Sequence, residues 1–183
     1  MNDLIIELFK YFSKFVPKDV LEKIFIQPDA SKKTGYDEIK TEILATGNEN
    51  VIPEIEKFVL SINENFVSDK IKNSNGIILF VEYGKLSVDH SMAKGITEAL
   101  AITVAYNFSN KNHDNLNEII LMNQCLEILD KIIRQMGEEQ EELDFCANAE
   151  LIAWPAEVQV IDPSVFYGCA GWCAMFINTK TVL

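Results

Sequence analysis

The stretch "ITEALAITVAYNF", residues 96–108, decides the fold because its side chains alternate in size at every second position. Such a period of two is typical of a β-strand, since successive side chains point to opposite faces of a sheet. We therefore predict one long strand, with a small face that packs closely against a helix. The large set comprises Leu100, Ile102, Val104, Tyr106 and Phe108, and the small set includes Ala99, Ala101, Thr103 and Ala105.

A long amphipathic helix is predicted downstream of this strand, from Leu116 to Met136. Asn115, followed three residues later by Glu118, has the pattern of a capping box, and Gly137 stands where helices often end. The acidic run after Gly137 is then expected to form a solvated connector. The apolar residues of the helix repeat at intervals of three and four: Ile119, Met122, Leu126, Leu129, Ile133 and Met136.

Three further strands are predicted, over residues 77–83, 149–162 and 168–180. The first is a continuous apolar run, which favours a strand covered on both faces. The second contains Pro155, which cannot donate a hydrogen bond to a neighbouring strand, so an edge position or a bend is expected. The short connection before the third predicts a hairpin.

The amino-terminal part of the sequence predicts helices. Amphipathic spacing indicates one helix over residues 3–16, a second starting at Pro17, a short third around 38–45 and a fourth over about 52–66. A polar loop over residues 27–38 separates the first two from the rest. We predict an amino-terminal helical appendage and loop (1–36) and an α+β main domain (37–183). Its sheet would be mostly antiparallel, with about four strands and one long helix across it.

The charge and the apolar runs of the sequence argue against two classes of function, nucleic-acid binding and membrane binding. There are 28 acidic and 16 basic side chains, a formal net charge of -12, and a single arginine, Arg134. Because nucleic-acid binding relies on a basic patch, sequence-specific binding to nucleic acid is not expected. No basic segment precedes the first apolar residues, and no apolar run reaches the roughly 18 residues of a membrane span, so we expect a cytoplasmic protein without a membrane partner.

Residues that could carry chemistry are scattered. In a strand, Cys169 and Cys173 would lie about 13 Å apart, too far to share one metal ion. His90 and His113 fall in separate predicted loops and offer too few ligands for zinc. Phosphate-binding glycine spacings and a nucleophile elbow are missing from the sequence. We therefore expect no catalytic residue, cofactor or metal, and we interpret all the cysteines, including Cys125 and Cys146, as structural thiols.

The strand "GIILFVEYG", the alternating strand, the helix "LNEIILMNQCLEILDKIIRQM" and the closing "GWCAMFINTK" follow one another over residues 76–180. In this order the chain resembles the tail terminator family of long-tailed phages and related head–tail joining and tail-completion proteins. The resemblance implies a non-enzymatic, ring-forming homo-oligomer at the end of a tail tube or at the head–tail junction. Its partners would be other tail or head-completion proteins, and it would lie in the host cytoplasm or, once assembled, in the virion.

A ring through which DNA passes benefits from a negative lumen that repels phosphate. The candidate residues for such an acidic surface, or for a partner surface, are Glu138, Glu139, Glu141 and Glu142. An alternative function is equally compatible with the charge: a small acidic binding module, such as an immunity-like or inhibitory protein, that neutralises a basic partner. The two functions predict different oligomeric states, because a binding module acts as a monomer or dimer whereas a terminator must close a ring.

Overall fold

The computed structural model describes residues 4–45, 50–61, 70–72, 74–83, 86–87, 96–97, 99–107, 114–141, 155–164 and 166–177. The helices are α1 (Leu4–Ser13), α2 (Lys18–Glu22), α3 (Tyr36–Ala45) and α4 (Asn115–Glu141), with a 3-10 turn at Asp29–Ser31. The strands are β1 (Ile55–Leu60), β2 (Ile77–Tyr83), β3 (Leu86–Ser87), β4 (Ile96–Thr97), β5 (Ala99–Asn107), β6 (Ala156–Ile161) and β7 (Cys169–Ile177).

The main sheet has five strands in the order β1-β2-β5-β7-β6. The β2–β5, β5–β7 and β7–β6 pairs are antiparallel, and the β1–β2 pair is parallel. This confirms the predicted α+β class with a mostly antiparallel sheet and one long helix. β6 lies at an edge of the sheet directly after Pro155, which confirms the first of the two alternatives predicted there; residues 149–154 of that predicted strand lie outside the described residues. β3 and β4 pair in a separate two-stranded sheet, so the predicted strand over 96–108 is in fact two strands.

The strand β1 corrects the prediction of a helix over residues 52–66. It pairs with β2, but the register slips between Ile55 and Lys57, so that Glu56 is an extra residue in the ladder. A bulge of this kind breaks the period of two. Ile55 and Phe58, three residues apart, therefore reach the same core, which imitates the spacing of a helix. The later part of the predicted helix lies outside the described residues.

The helix α4 packs on the large face of β5, so the prediction that the small face packs the helix is wrong. Large residues of β5, such as Ile102 and Val104, share one buried core with Cys125 and Leu129 of α4. Trp172 of β7 is the register partner of Val104 in β5. It donates its Nε1 hydrogen to the carbonyl oxygen of Met122 at 3.0 Å. The small face contributes instead to a second core on the other side of the sheet. That core comprises Val59, Ile71, Ile78, Phe80, Ala105 and Cys169.

The ends of α4 also differ from the prediction. Asp114, rather than Asn115, caps its start, because its Oδ1 accepts a hydrogen bond from the amide of Asn117 at 2.8 Å. Gly137 does not end the helix, which continues to Glu141. Glycine costs only about 1 kcal/mol inside a helix relative to alanine. Contacts of Glu139 in the extra turn, described below, can offset that cost.

The amino-terminal helices confirm the pattern predicted for them, with α2 beginning directly after Pro17. The predicted loop over residues 27–38 contains the 3-10 turn and the start of α3. Leu8, Phe12 and Phe15 belong to the same buried core as α4 and the sheet. The division of the chain at residue 36 stays a prediction.

Candidate interaction surfaces

The four glutamates proposed for an acidic surface lie at the end of α4. The structure describes two of their side chains. Glu138 is exposed to solvent. Glu139 faces the protein and forms an ion pair with Lys14, in which the two side chains are 15% and 14% exposed. Glu141 is the last residue of α4. The side chain of Glu141 and the whole of Glu142 lie outside the described residues.

The environment of Glu139 gives its carboxylate a structural role. Burial by itself raises the pKa of this carboxyl, but hydrogen bonds from Lys14, Tyr11 and Gln135 outweigh burial and lower the pKa overall. The Lys14 ammonium also lies 3.8 Å from the centre of the Tyr11 ring, a favourable cation–π geometry. Glu139 therefore joins the last turn of α4 to α1 within one chain.

The cysteines lie in the sheet and in α4. Cys169 and Cys173 are buried in β7, which confirms the predicted strand, and Cys125 is buried in α4. Burial raises the pKa of the Cys125 thiol to about 12 and that of Cys169 to about 11, so both are protonated at neutral pH. Among the described side chains, no group of three or more His, Cys, Asp or Glu residues could hold a metal ion. Cys146, His90 and His113 lie outside the described residues.

One edge of the sheet, formed by β6, carries exposed apolar side chains. Val158 is 45% exposed and Val160 is 60% exposed. They lie opposite Ala174 and Trp172 of β7, whose side chains contribute to the core under α4. Because directly opposite residues share a face, both valines lie on the helix side of the sheet. Among the described strands, none pairs with the outer edge of β6, and an edge strand with exposed valines is a surface that proteins usually cover or blunt.

The start of α4 extends this apolar surface. Ile119 is 56% exposed, and it lies one turn before Met122, on the same side of the helix. Met122 in turn contacts Trp172, which is the cross-strand neighbour of Val160. Leu116 and Ile120 are also more than half exposed. The helix side of the β6 edge is therefore apolar, while Glu157 and Gln159 lie on the other face and are also exposed.

The opposite edge of the sheet, formed by β1, borders a cleft of about 440 Å³. Five consecutive β1 residues, 56–60, line this cleft, so it runs along the outer edge of the strand. Phe9, Ile24, Ile26 and Tyr36, from α1 and from the region of α2 and α3, form a largely apolar wall. We call this feature the β1 cleft.

Three lysines, Lys23, Lys57 and Lys70, also line the β1 cleft, together with Glu56. Lys57 is the register partner of Ile78, whose side chain lies in the second core, so Lys57 is on the sheet face away from α4. Burial lowers the pKa of Lys57, and the nearby charge of Lys70 lowers it further. Lys23 is ion-paired with Asp19 at 3.0 Å, and Lys57 places a cationic group on the β1 edge itself, in a chain whose net charge is -12.

Comparison with protein-family models, with curated proteins and with solved structures found no match. Within the residues described, none of the helices combines the length and apolar composition needed to cross a membrane.

Proposed function

We propose that this chain is a non-enzymatic structural subunit that acts by self-association. The observation that carries the proposal is the open edge of β6, where Val158 and Val160 are exposed beside the exposed start of α4. Exposed apolar surface on a strand that lies at the edge of the described sheet is a typical site of protein association. A second copy would remove these side chains from water and could pair with the outer backbone groups of β6.

The specific form of the proposal follows the family resemblance: a ring-forming subunit at the end of a phage tail tube or at a head–tail junction. The element order that carries the resemblance is β2, β5, α4, β6 and β7. The exposed carboxylate of Glu138 and the net charge of -12 support a surface that does not adhere to DNA. Assembly partners would be further copies of the chain and other tail or head-completion proteins.

The second candidate is the acidic binding module for a basic partner, which the net charge also favours. Such a module needs no interface between its own copies. The exposed valines of β6 favour the structural subunit, because an electrostatic partner surface does not require them.

The test is the mass of the purified chain in solution, measured by light scattering over a concentration series and followed by negative-stain imaging. We expect a species whose mass is a multiple of 20.7 kDa and whose images show a closed ring. A monomer at every concentration would contradict self-association and favour the binding module. Lys131→Glu serves as a charge control and should assemble like wild type, since Lys131 is exposed on α4 and belongs to neither sheet edge nor the acidic surface.

A further inference from the structure

We propose that the two open edges of the sheet are complementary, so that β6 of one copy pairs with β1 of the next and occupies its β1 cleft. The inference rests on the proposed function, because it names the interface through which the chain self-associates. The occupant of the cleft is thus a second copy of this chain. Strand directions, the helix side of the sheet and the opposite side each support this pairing.

The strand directions are compatible with such a pairing. β1 and β2 run parallel, and the next three pairs along the sheet are antiparallel, so β6 runs antiparallel to β1. Copies placed side by side without inversion therefore present β6 and β1 in antiparallel orientation, with all their helices on one side. Both strands are six residues long. The five-stranded sheet would continue from copy to copy.

The helix sides of the two edges fit each other. On β6, Val158 and Val160 are exposed on this side, beyond the part of the sheet that α4 covers. On β1, the apolar wall of the cleft extends on the same side and includes Ile26, which is 69% exposed. If two copies lay side by side, the exposed valines of one copy would contact the apolar wall of the next, and both surfaces would be buried.

On the sheet face away from α4, the two edges carry side chains of opposite charge. Glu157 and Gln159 of β6 are exposed on the face away from α4, and Lys57 of β1 lies on that same face. Lys70, which lines the cleft, is near enough to Lys57 to lower its pKa. Pairing with Glu157 would place a carboxylate beside the Lys57 ammonium. Opposite charges across strands stabilise a sheet, whereas like charges directly opposite destabilise it.

The symmetry of this contact differs from that of a simple dimer. Two β6 edges could pair with each other, but that contact would be isologous and would leave both β1 clefts empty. The β6-to-β1 contact uses different surfaces on the two copies, so it repeats and closes a ring when the rotation allows. It thereby supplies the kind of contact that a ring-forming subunit needs.

The experiment uses charge reversal on each edge. Lys57→Glu and Glu157→Lys are each expected to raise the concentration needed for half-assembly by about tenfold or more, because each places like charges across the interface. An equimolar mixture of the two variants should reassemble, since each supplies the intact edge that the other lacks and the remaining contacts are charge-swapped. The double variant should also assemble. Lys131→Glu, on the exposed side of α4, is the matched control and should assemble like wild type.

Folding is monitored separately by thermal melting, because Lys57 is half-buried. Val160→Lys, at a 60% exposed position, tests the same edge without disturbing the core and should also prevent assembly. If the Lys57→Glu variant assembled as well as the wild type, or if mixing the two variants did not restore assembly, the β6-to-β1 contact would be overturned. The proposal of self-association would then still stand. A monomeric wild-type chain at all concentrations would overturn the proposed function, and the inference with it.

Discussion

Replacing Gly171 by alanine should destabilise the protein strongly, because the backbone of β5 leaves no room for a side chain at this position of β7. Gly171 is the register partner of Ala105. A Cβ at position 171 would lie 2.5 Å from the Cα of Ala105 and 2.8 Å from its Cβ, and closer still to the carbonyl oxygen of Val104. Ordinary contacts between carbon atoms are about 3.5–4.0 Å. The two strands would therefore have to separate locally by close to 1 Å.

The cost follows from that separation. Overpacking a core typically costs about 1–3 kcal/mol, and stretching one or two ladder hydrogen bonds adds about 1 kcal/mol each. We therefore expect Gly171→Ala to lower the free energy of unfolding by about 2–5 kcal/mol, a large part of the roughly 5–15 kcal/mol typical of a domain. Urea unfolding followed by far-UV circular dichroism measures this loss, at one fixed protein concentration because association stabilises the folded chain.

Gly168→Ala is the matched control. Gly168 lies three residues earlier and has a φ of 80°, but an added Cβ would meet nothing within 4 Å. Its cost should be limited to the strain of a left-handed backbone, about 1–2 kcal/mol. Equal losses for the two variants, or wild-type stability for Gly171→Ala, would refute the close approach of β7 and β5.

Three further predictions concern contacts of α4. Glu139→Gln should lower the free energy of unfolding by about 1–2 kcal/mol at pH 7, since it removes the charge that pairs with Lys14. Because the folded state lowers the pKa of Glu139, this stabilisation is present above its ordinary value of 4.5 and is lost as the pH falls through the lower folded pKa, so the two unfolding curves should converge in acid. Trp172→Phe should cost about 1–2 kcal/mol through the hydrogen bond to the carbonyl oxygen of Met122, again measured by urea unfolding; an unchanged midpoint would contradict it. Cys125, with its pKa raised to about 12 and its side chain buried, should resist alkylation at pH 8 in the native protein and react in urea, as mass spectrometry can show; labelling of the native protein would argue against its burial.

Local patterns predicted much of the fold. The size alternation around Val104 identified β5, and Pro155 limited the strand that contains it to an edge position or a bend. The pattern could not say which face of β5 the helix covers, because alternation assigns residues to faces but does not say what packs on each face. β1 was misread as helix, since its bulge at Glu56 places Ile55 and Phe58 three residues apart on one side. Sequence spacing alone does not distinguish a bulged strand from a helix turn.

The candidate surfaces were predictable only in part. Val158 and Val160 alternate with Glu157 and Gln159 after a proline, which is the pattern of a strand with one apolar face, but nothing local indicates that this face is open to solvent. The β1 cleft had no sequence signal. Its lysines come from separate segments of the chain: the packing of α2 against β1 brings Lys23 near Lys57, and Lys70 comes from a third segment.

The position of β7 in the sheet has a consequence for how the chain is made. Although it follows the other described strands in sequence, β7 lies between β5 and β6 rather than at an edge. Asn107 pairs with Cys169 and Ala99 pairs with Ile177, so the partners are 62 and 78 residues apart in sequence. During synthesis, one edge of β5 therefore has no partner until β7 has been made, more than 60 residues later. Because pairs so distant in sequence form slowly, we expect the formation of the β5–β7 ladder to limit the rate of folding.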